Sequence, residues 1–487
     1  MLTKMPMYAV IGGGLSVLIS IAFLGSLFSA LSFHPLALIA STLVFCGVSI
    51  GASALFGKIY GIYSHLRSAL ITALILSLIF TPSFEVFTLM QYALIAVVAQ
   101  ASKFVVAYKG RHIFNPAAFG ALLGGLLSLS YASWWVANPV LIIPTILGAF
   151  LVLYKTRQLQ IGGLFLGISI LLITIAALLR GDTFIVAITA IATSWPIFFF
   201  AGFMLSEPLT LPPRKKQKVI IAAVAAVLIS LPFGIGDFNS SPEFALLAAN
   251  LVAFILAFRQ RQGITLTFRK RRTLTPTVQE FIFETDHAVS FEPGQYIEIT
   301  VPHKKEDGRG TRRSFSVTST PGENELRMAM KFYDPSSTLK KQLKAIAPGT
   351  KIQTTGITGD FVLPKDAGQK LLFVAGGIGI TPFISQIAAS KVEGRDITVL
   401  YFAKNADELA YRTQLDKSGA IVHYFTADAD KDMNHGSRLN EKTVKKYVTG
   451  QGFDAAYISG PPAMVASAKH LLKNDIRHIK TDYFSGY

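Results

Sequence analysis

Apolar residues run almost unbroken through the first 258 positions, and then the pattern changes. A helix that crosses a bilayer needs about 20 mostly apolar residues. Ten stretches come near that requirement, with loose bounds: 7–31, 35–57, 66–81, 85–107, 116–131, 139–154, 161–179, 183–205, 218–235 and 243–258. Some are short, which predicts half-helices or tilted segments. The first is long for a signal peptide and lacks a small-x-small cleavage pattern, so it reads as a retained helix. Beyond residue 272 the period shortens. Tyr296-Ile297-Glu298-Ile299-Thr300-Val301 and Leu326-Arg327-Met328-Ala329-Met330-Lys331 alternate as strands with one buried face. From about 370, strands Lys370–Ala375, Ile397–Phe402 and Ala455–Ser459 alternate with helical stretches. The expected architecture is a polytopic α-helical membrane domain (1–258), a basic connector (259–272), a small β-barrel (273–366) and an α/β parallel-sheet domain (367–487).

Charge sharpens this picture. The chain has 487 residues, 51% of them hydrophobic, and a formal net charge of +17. Such a balance also marks nucleic-acid binders. Here the cations lie in short loops beside apolar stretches, where they fix membrane orientation, and no nucleic-acid partner is expected. With a cytoplasmic N-terminus, the inner segments carry Lys4, Lys58, Arg67, Lys109, Arg111, Lys155, Arg157, Arg214, Lys215, Lys216, Lys218, Arg259 and Arg261. The outer loops carry Arg180 with Glu85, Asp182, Asp237 and Glu243. An even number of spans then leaves both termini and the C-terminal half in the cytoplasm of a bacterial-type cell. The connector, rich in arginine, suits anionic headgroups. The lone cysteine, Cys46, sits in an apolar run and cannot form an internal disulfide or a four-cysteine cluster. No metal site is expected.

Prolines break the apolar half at Thr81-Pro82, Asn115-Pro116, Glu207-Pro208 and Ser241-Pro242. Their spacing fits five segments repeated in inverted order, and it fits prolines that merely mark helix ends. The stretches His112-Ile113-Phe114-Asn115-Pro116-Ala117-Ala118-Phe119-Gly120 and Phe203-Met204-Leu205-Ser206-Glu207-Pro208-Leu209-Thr210 resemble signatures of the flavin-bearing membrane components of the sodium-translocating NADH:quinone reductase and of the Rnf complex. The resemblance extends diffusely over residues 35–258. It implies a ten-helix repeat and flavins held in the membrane. Asn115 and Glu207, polar groups beside helix breaks, are then candidate flavin contacts; capping and loop anchoring are the alternative roles. That family attaches FMN to a threonine in a Ser-Gly-Ala-Thr-type sequence, which is missing here, so a membrane FMN or riboflavin would be non-covalent. Trp134 and Trp135 fit either ring stacking or interfacial anchoring. Haem fits poorly, since His34, His65 and His112 all lie near segment ends.

The polar half carries five short motifs in order. They are Pro293-Gly294-Gln295-Tyr296, Arg313-Ser314-Phe315-Ser316, Ser336-Ser337-Thr338, Gly376-Gly377-Ile378-Gly379-Ile380-Thr381-Pro382 and Ser459-Gly460-Pro461-Pro462. The ending Asp482-Tyr483-Phe484-Ser485-Gly486-Tyr487 follows them. An arginine can fork onto a pyrophosphate. A glycine turn that opens a helix after an apolar strand lets a dinucleotide approach the backbone. Ser337 and Thr338 fit a phosphate contact or an ordinary N-cap. Together these motifs resemble the ferredoxin–NADP reductase superfamily along nearly the whole half. The resemblance implies FAD on Tyr296, Arg313, Ser314, Phe315, Ser316, Ser337 and Thr338, with Phe315 covering the ring and Ser316 addressing flavin N5. It implies a nicotinamide dinucleotide on Gly376, Gly377, Gly379, Thr381, Pro382, Gly460, Pro461 and Pro462. Phe484 would lie over the flavin, with Tyr487 as the alternative lid. Ser459 stands where the family carries cysteine. Asp428, after the strand Ile421–Thr426, would repel a 2′-phosphate and favours NADH over NADPH.

The expected function is a membrane-bound NAD(P)H oxidoreductase. Electrons would pass from cytoplasmic NADH through FAD to a membrane flavin, and on to a quinone or an extracytoplasmic acceptor. A redox-coupled ion pump and a flavin or small-molecule transporter with a regulatory reductase domain are the alternatives. The complexes resembled need several partner proteins and iron–sulfur relays that this chain lacks, and an intact set of reductase motifs argues against a purely regulatory role.

Overall fold

The computed structural model describes residues 5–61, 66–108, 111–236, 238–258, 263–301, 303, 307, 311–354, 356–428, 434–436 and 439–483. The chain divides into two compact units, Met1–Arg259 and Gln260–Tyr487.

The first unit is helical: α1 (Met7–Leu27), α2 (Pro35–Ile59), α3 (Leu66–Ile79) and α4 (Val86–Val105) precede a short hairpin, β1 (Ala107–Tyr108) and β2 (Arg111–His112). Then come α5 (Pro116–Leu126), α6 (Ile142–Thr156), α7 (Leu159–Leu179), α8 (Phe184–Thr193) and α9 (Ile197–Phe199), which runs on as a π-helical turn, Phe200–Leu205. Helices α10 (Lys215–Ser230) and α11 (Pro242–Ala257) flank a second hairpin, β3 (Gly234–Ile235) and β4 (Phe238–Asn239). Among the described residues four helices, α1, α2, α4 and α7, are long and apolar enough to cross a membrane. A fifth span arises if α8 and α9 count as one, bent by 53°. Of the ten candidate stretches, helix length supports four or five full spans among the described residues. Helices α3, α5, α6 and α11 are shorter apolar helices. The stretch 183–205 breaks at Ser194–Pro196 because proline lacks the N–H that an unbroken helix would use.

The packing pairs recur along this unit. Helix α2 lies on α3 and α4, and α4 on α5; in the second half α7 lies on α8 and α10, and α10 on α11. Helix α1 meets α3 as α6 meets α9, while α1 touches α6 and α5 touches α11. Small residues allow the close approaches: a Cβ on Gly120 would stand 2.7 Å from the Ala99 Cβ, and one on Gly202 would stand 2.4 Å from the Ala149 Cα.

The second unit begins earlier than the charge pattern suggests. Strand β5 (Thr265–Thr273) occupies most of the expected connector. Leu266 and Phe268 are buried and Arg269–Arg272 are exposed, as suits a charged sheet edge beyond the short pairing with its neighbour. A four-stranded antiparallel sheet runs in the order β10 (Lys351–Gln353), β5, β6 (Val278–Thr285) and β9 (Glu325–Lys331). The hairpin β7 (Tyr296–Thr300) and β8 (Arg312–Ser316) is a separate two-stranded sheet. It joins the first by single bridges, Tyr296 to Thr358 and Ile299 to Thr354. In place of the expected small barrel, a sheet and a hairpin surround one core of Phe281, Phe283, Ile297, Ile299, Phe315 and Met328. Helix α12 (Thr338–Lys344) packs Leu339 and Leu343 into the same core.

The remainder is the expected parallel sheet. It has six strands in the order β14 (Asn434–His435), β13 (Ile421–Thr426), β12 (Ile397–Phe402), β11 (Leu371–Gly376), β15 (Ala455–Gly460) and β16 (His478–Tyr483). Helices α13 (Thr381–Glu393), α14 (Arg412–Asp416), α15 (Glu441–Tyr447) and α16 (Pro462–Leu472) connect them. Strands β11, β12 and β15 are buried at every position, which explains their continuous apolar runs. The strand order reverses between β11 and β15, and a ligand crevice belongs at the carboxyl ends of those strands.

Candidate functional site

At the switch point the motif glycines divide into two kinds. A Cβ on Gly379 would lie 2.3 Å from the Ser459 carbonyl oxygen and 2.7 Å from the Gly460 Cα. One on Gly376 would lie 2.1 Å from the Met464 sulfur. These glycines, with Gly460, let the tips of β11 and β15 pack on each other. Gly377 differs: its φ is +54°, and nothing stands within 4 Å of a Cβ placed there. It alone of the three keeps open space at the mouth of α13, where free backbone N–H groups favour an anion. Thr381 is buried and its hydroxyl donates to the Ile378 carbonyl at 2.9 Å, so it braces the turn; Pro382 sits at the helix start. Pro461 and Pro462 are exposed. Ser459 is fully buried and its Oγ has no hydrogen-bond partner. The residues present fit a dinucleotide here.

The flavin motif is partly redrawn. In the β7–β8 register Tyr296 faces Ser316 and Glu298 faces Ser314, whereas Ile297 faces Phe315 and Ile299 faces Arg313. Strand alternation therefore puts Tyr296, Ser314 and Ser316 on one face and Arg313 and Phe315 on the other. Phe315 is 8% exposed within the sheet core, so it does not lie open as a ring cover. Ser314 is exposed, Tyr296 half-buried and Ser316 buried. Arg313 donates to the Arg312 carbonyl at 2.6 Å, and Arg312 pairs with Glu298 at 3.3 Å. Ser337 is the N-cap of α12, accepting from the Lys340 N–H at 3.3 Å. The Thr338 N–H donates to Asp307 at 3.0 Å, and its hydroxyl meets His303 at 2.8 Å. Both residues thus act as cap and brace. A carboxylate already holds the amide that a phosphate would need, and α12 does not fit a phosphate in this arrangement. Phe484 and Tyr487 lie outside the described residues.

The motifs gave no sign of the polar contacts between the antiparallel and parallel sheets. Tyr411 donates to the buried Glu280 carboxylate at 2.7 Å, and Arg272 donates to it at 2.9 Å. Glu408 holds Lys331 at 2.7 Å and Thr277 at 2.7 and 2.9 Å. Burial works to raise the Glu408 pKa, but the Lys331 and Thr277 hydrogen bonds and the nearby ammonium charges prevail and hold it below the usual carboxylate range. A carboxyl with a depressed folded pKa stabilises above its unfolded pKa, about 4.3, and loses that contribution as pH falls through the folded value. The melting temperature of the C-terminal unit should therefore fall less steeply below pH 4 in Glu408→Gln than in the wild type. At pH 7 that variant should be about 1–3 kcal/mol less stable. Equal acid slopes would remove Glu408 from this role.

In the helical unit the two signature stretches meet. Glu207 follows the π-helical turn, and its Oε1 lies 2.8 Å from His112 Nε2. Asn115 Nδ2 donates to Glu207 Oε2 at 2.9 Å. Arg111 donates to the Pro208 carbonyl at 3.0 Å. Asn115 also caps α5 by accepting from the Ala118 N–H, and its own N–H donates to Asn250 at 2.8 Å. Asn115 thus has little capacity left for a flavin, and capping and anchoring describe it. Glu207 retains some exposure and further lone pairs. Two participants escaped the sequence reading: Asn250, 1% exposed on α11, and Lys103 on α4, which donates to Ser68 at 3.1 and 3.2 Å. Both tryptophans are hydrogen-bonded within the helical unit. Trp134 is buried and donates to the buried Glu243 at 2.9 Å, and Trp135 donates to the Phe80 carbonyl at 2.8 Å. His34 Nδ1 caps α2 by accepting from the Leu36 N–H, so both described histidines of this unit are engaged.

The oxidoreductase NAD-binding domain family model matches residues 373–470, from the middle of β11 to α16. Among curated proteins, flavohemoprotein A of Dictyostelium discoideum is 34% identical over 196 residues, covering 37% of this chain and 48% of that protein. The flavohemoprotein of Bacillus subtilis is 27% identical over 199 residues (38% and 48%). The phenol hydroxylase P5 protein of Acinetobacter pittii is 26% identical over 218 residues (42% and 60%). The chain spans about half the length of the curated relatives it matches. The likeness within its C-terminal unit is thus to an oxidoreductase NAD-binding domain and to flavohemoproteins.

Proposed function

We propose that this protein is a membrane-bound NADH oxidoreductase. It passes electrons from cytoplasmic NADH through FAD to a second, non-covalent flavin (FMN or riboflavin) in the helical unit, and on to a quinone or an extracytoplasmic acceptor. The observation that carries the reading is the joining, in one chain, of an NAD-binding switch point to a helical unit with several membrane-length apolar helices. The nicotinamide dinucleotide would lie across Gly377 and the start of α13, with Gly460, Pro461 and Pro462 forming the opposite lip. FAD would lie along β7 and β8, where Tyr296, Ser314 and Ser316 share one face and Arg313 would reach its pyrophosphate from the other. Bound FAD would supply the exchange between hydride transfer and single-electron transfer. The protein's own part is to set distance and order, and to keep water from the reacting atoms.

The hydrocarbon core is about 30 Å thick, so an acceptor on the far side calls for a relay inside it. Cys46 cannot build a cluster, and His34 and His112 already have partners, which supports a flavin as that relay. Its contacts would come from groups other than Asn115. Asp428 supports NADH: its carboxylate is exposed at the end of β13 and accepts from the Ala406 N–H at 3.0 Å.

Purified protein should carry FAD and oxidise NADH. Arg313→Ala should lose most of its FAD, because the guanidinium is the charged partner a buried pyrophosphate would need; full FAD content in that variant would overturn the assignment of the motif. Asp428→Arg should shift kcat/KM toward NADPH by about tenfold or more, as expected when a like charge is replaced by an opposite one. An unchanged ratio would show that Asp428 does not set the preference.

A further inference from the structure

Glu280 lies in the middle of β6, where it faces Arg272 on β5 and Ala329 on β9. It is 2% exposed. A carboxylate in that position must find hydrogen bonds, and it finds them in three different segments. Arg272 supplies one at 2.9 Å, and the Tyr411 phenol supplies another at 2.7 Å. The Thr318 hydroxyl supplies a longer one at 3.4 Å. Thr318 stands two residues past Ser316, on the continuation of the strand that carries the flavin motif, and its N–H is fixed to the Arg327 carbonyl at 2.9 Å. Tyr411 comes from the other side, in the segment after β12 that leads into α14.

Tyr411 has a φ of +64°, a left-handed backbone that costs a bulky residue about 1–2 kcal/mol. Strain of this kind persists only where surroundings over-determine it. Here the ring is packed in a core that includes Val278 of β6, Ala329 of β9 and Phe373 of β11, and the phenol is aimed at Glu280. The same segment is tied at two further points, by Glu408 to Lys331 and Thr277, and by the Ala406 N–H to Asp428. It therefore runs from the edge where a nucleotide ribose would lie to strands β6 and β9.

We propose that Glu280 and Tyr411 are a positioning pair: they hold the flavin strand, through Thr318, at a fixed height against the nicotinamide-binding sheet. The proposal rests on the functional reading above, because it assigns the pair to the alignment of that site's two halves. Neither residue touches the reacting atoms. A hydride donor and acceptor misplaced by about 1 Å lose up to a hundredfold in rate. The pair should thus act on the hydride-transfer rate and leave both binding steps alone.

The test uses the full-length protein in detergent, with Tyr411→Phe, which keeps the ring and deletes the donor. Expected are FAD content and NADH KM close to wild type, kcat lower by about tenfold or more, and a weaker long-wavelength flavin–nicotinamide charge-transfer band. Hydrogen exchange of the Val317 and Thr318 amides, read without added nucleotide, should quicken several-fold. Wild-type exchange together with wild-type kcat would overturn the proposal. A fall in FAD content or a rise in KM equal to the fall in kcat would also overturn it, by showing a merely structural role. If Tyr411→Phe fails to fold, Thr318→Val is read by the same measurements with the same two outcomes. If the wild-type protein does not reduce its flavin with NADH, the functional reading fails by itself, and the exchange measurement alone decides whether the pair holds the strand.

Discussion

Gly379→Ala is expected to lower the stability of the C-terminal unit by at least about 3 kcal/mol and to abolish NADH oxidation, whereas Gly377→Ala should leave the unit folded and raise the NADH KM. Overpacking a close contact typically costs about 1–3 kcal/mol, occasionally more. At Gly379 the obstacle is backbone on the neighbouring strand, the Ser459 carbonyl at 2.3 Å and the Gly460 Cα at 2.7 Å. Neither can rotate away as a side chain would. Relief requires β15 to move from β11, which dismantles the switch point. At Gly377 an added methyl group meets nothing, and the cost is that of a left-handed alanine, about 1–2 kcal/mol. The methyl would fill the space through which a pyrophosphate approaches the start of α13. Melting curves and steady-state kinetics on both variants distinguish the two roles. A Gly379→Ala protein as stable as wild type would refute the packing role.

Glu207→Ala is expected to destabilise the helical unit by about 1–3 kcal/mol, the range for leaving a buried hydrogen-bonding group without its partner. The carboxylate receives both His112 and Asn115, and Asn115 in turn is tied to Asn250 and to the first turn of α5. Its loss strands a histidine and a carboxamide in an apolar interior, each without its best partner. Glu207→Gln keeps one acceptor and should fall between. In the double variant His112→Ala/Glu207→Ala the loss should be less than the sum of the single losses, since both remove the same contact. Thermal stability of the full-length protein in detergent measures these three and the single variant His112→Ala. Additive losses would show that the pair is not coupled.

What could be read from the sequence depended on how directly a residue pattern dictates geometry. Leu371–Ala375 is a continuous apolar run that ends in glycines, and only a buried strand followed by a tight turn satisfies both features. The strand over 265–273 escaped notice because Arg269–Arg272 hide its alternation; an exposed sheet edge tolerates charges that an interior strand does not. The break at Ser194–Pro196 lies inside an apolar stretch whose composition is that of one span. The motif around Arg313 gave the order of residues along a strand but not which face each occupies, so Phe315 was expected over a flavin and lies in the core. Asn115 and Glu207 stand out in the sequence as polar groups beside prolines. That they bind each other follows from helix packing over a separation of 92 residues, which no local pattern encodes. Glu280 and Tyr411 were invisible for the same reason: their meaning lies in a contact between two sheets.

The central claim is that electrons from NADH reach a second redox centre held within the helical unit. Its most direct test is the flavin content and NADH response of the purified full-length protein. The flavin should be extracted by denaturation, identified by mass and quantified per chain, and the reduction should be followed anaerobically before extraction. The prediction is one FAD and a second, non-covalent FMN or riboflavin per chain, both bleached by NADH. FAD as the sole flavin, or a second flavin that NADH leaves oxidised, would contradict the relay and place electron delivery at the cytoplasmic surface.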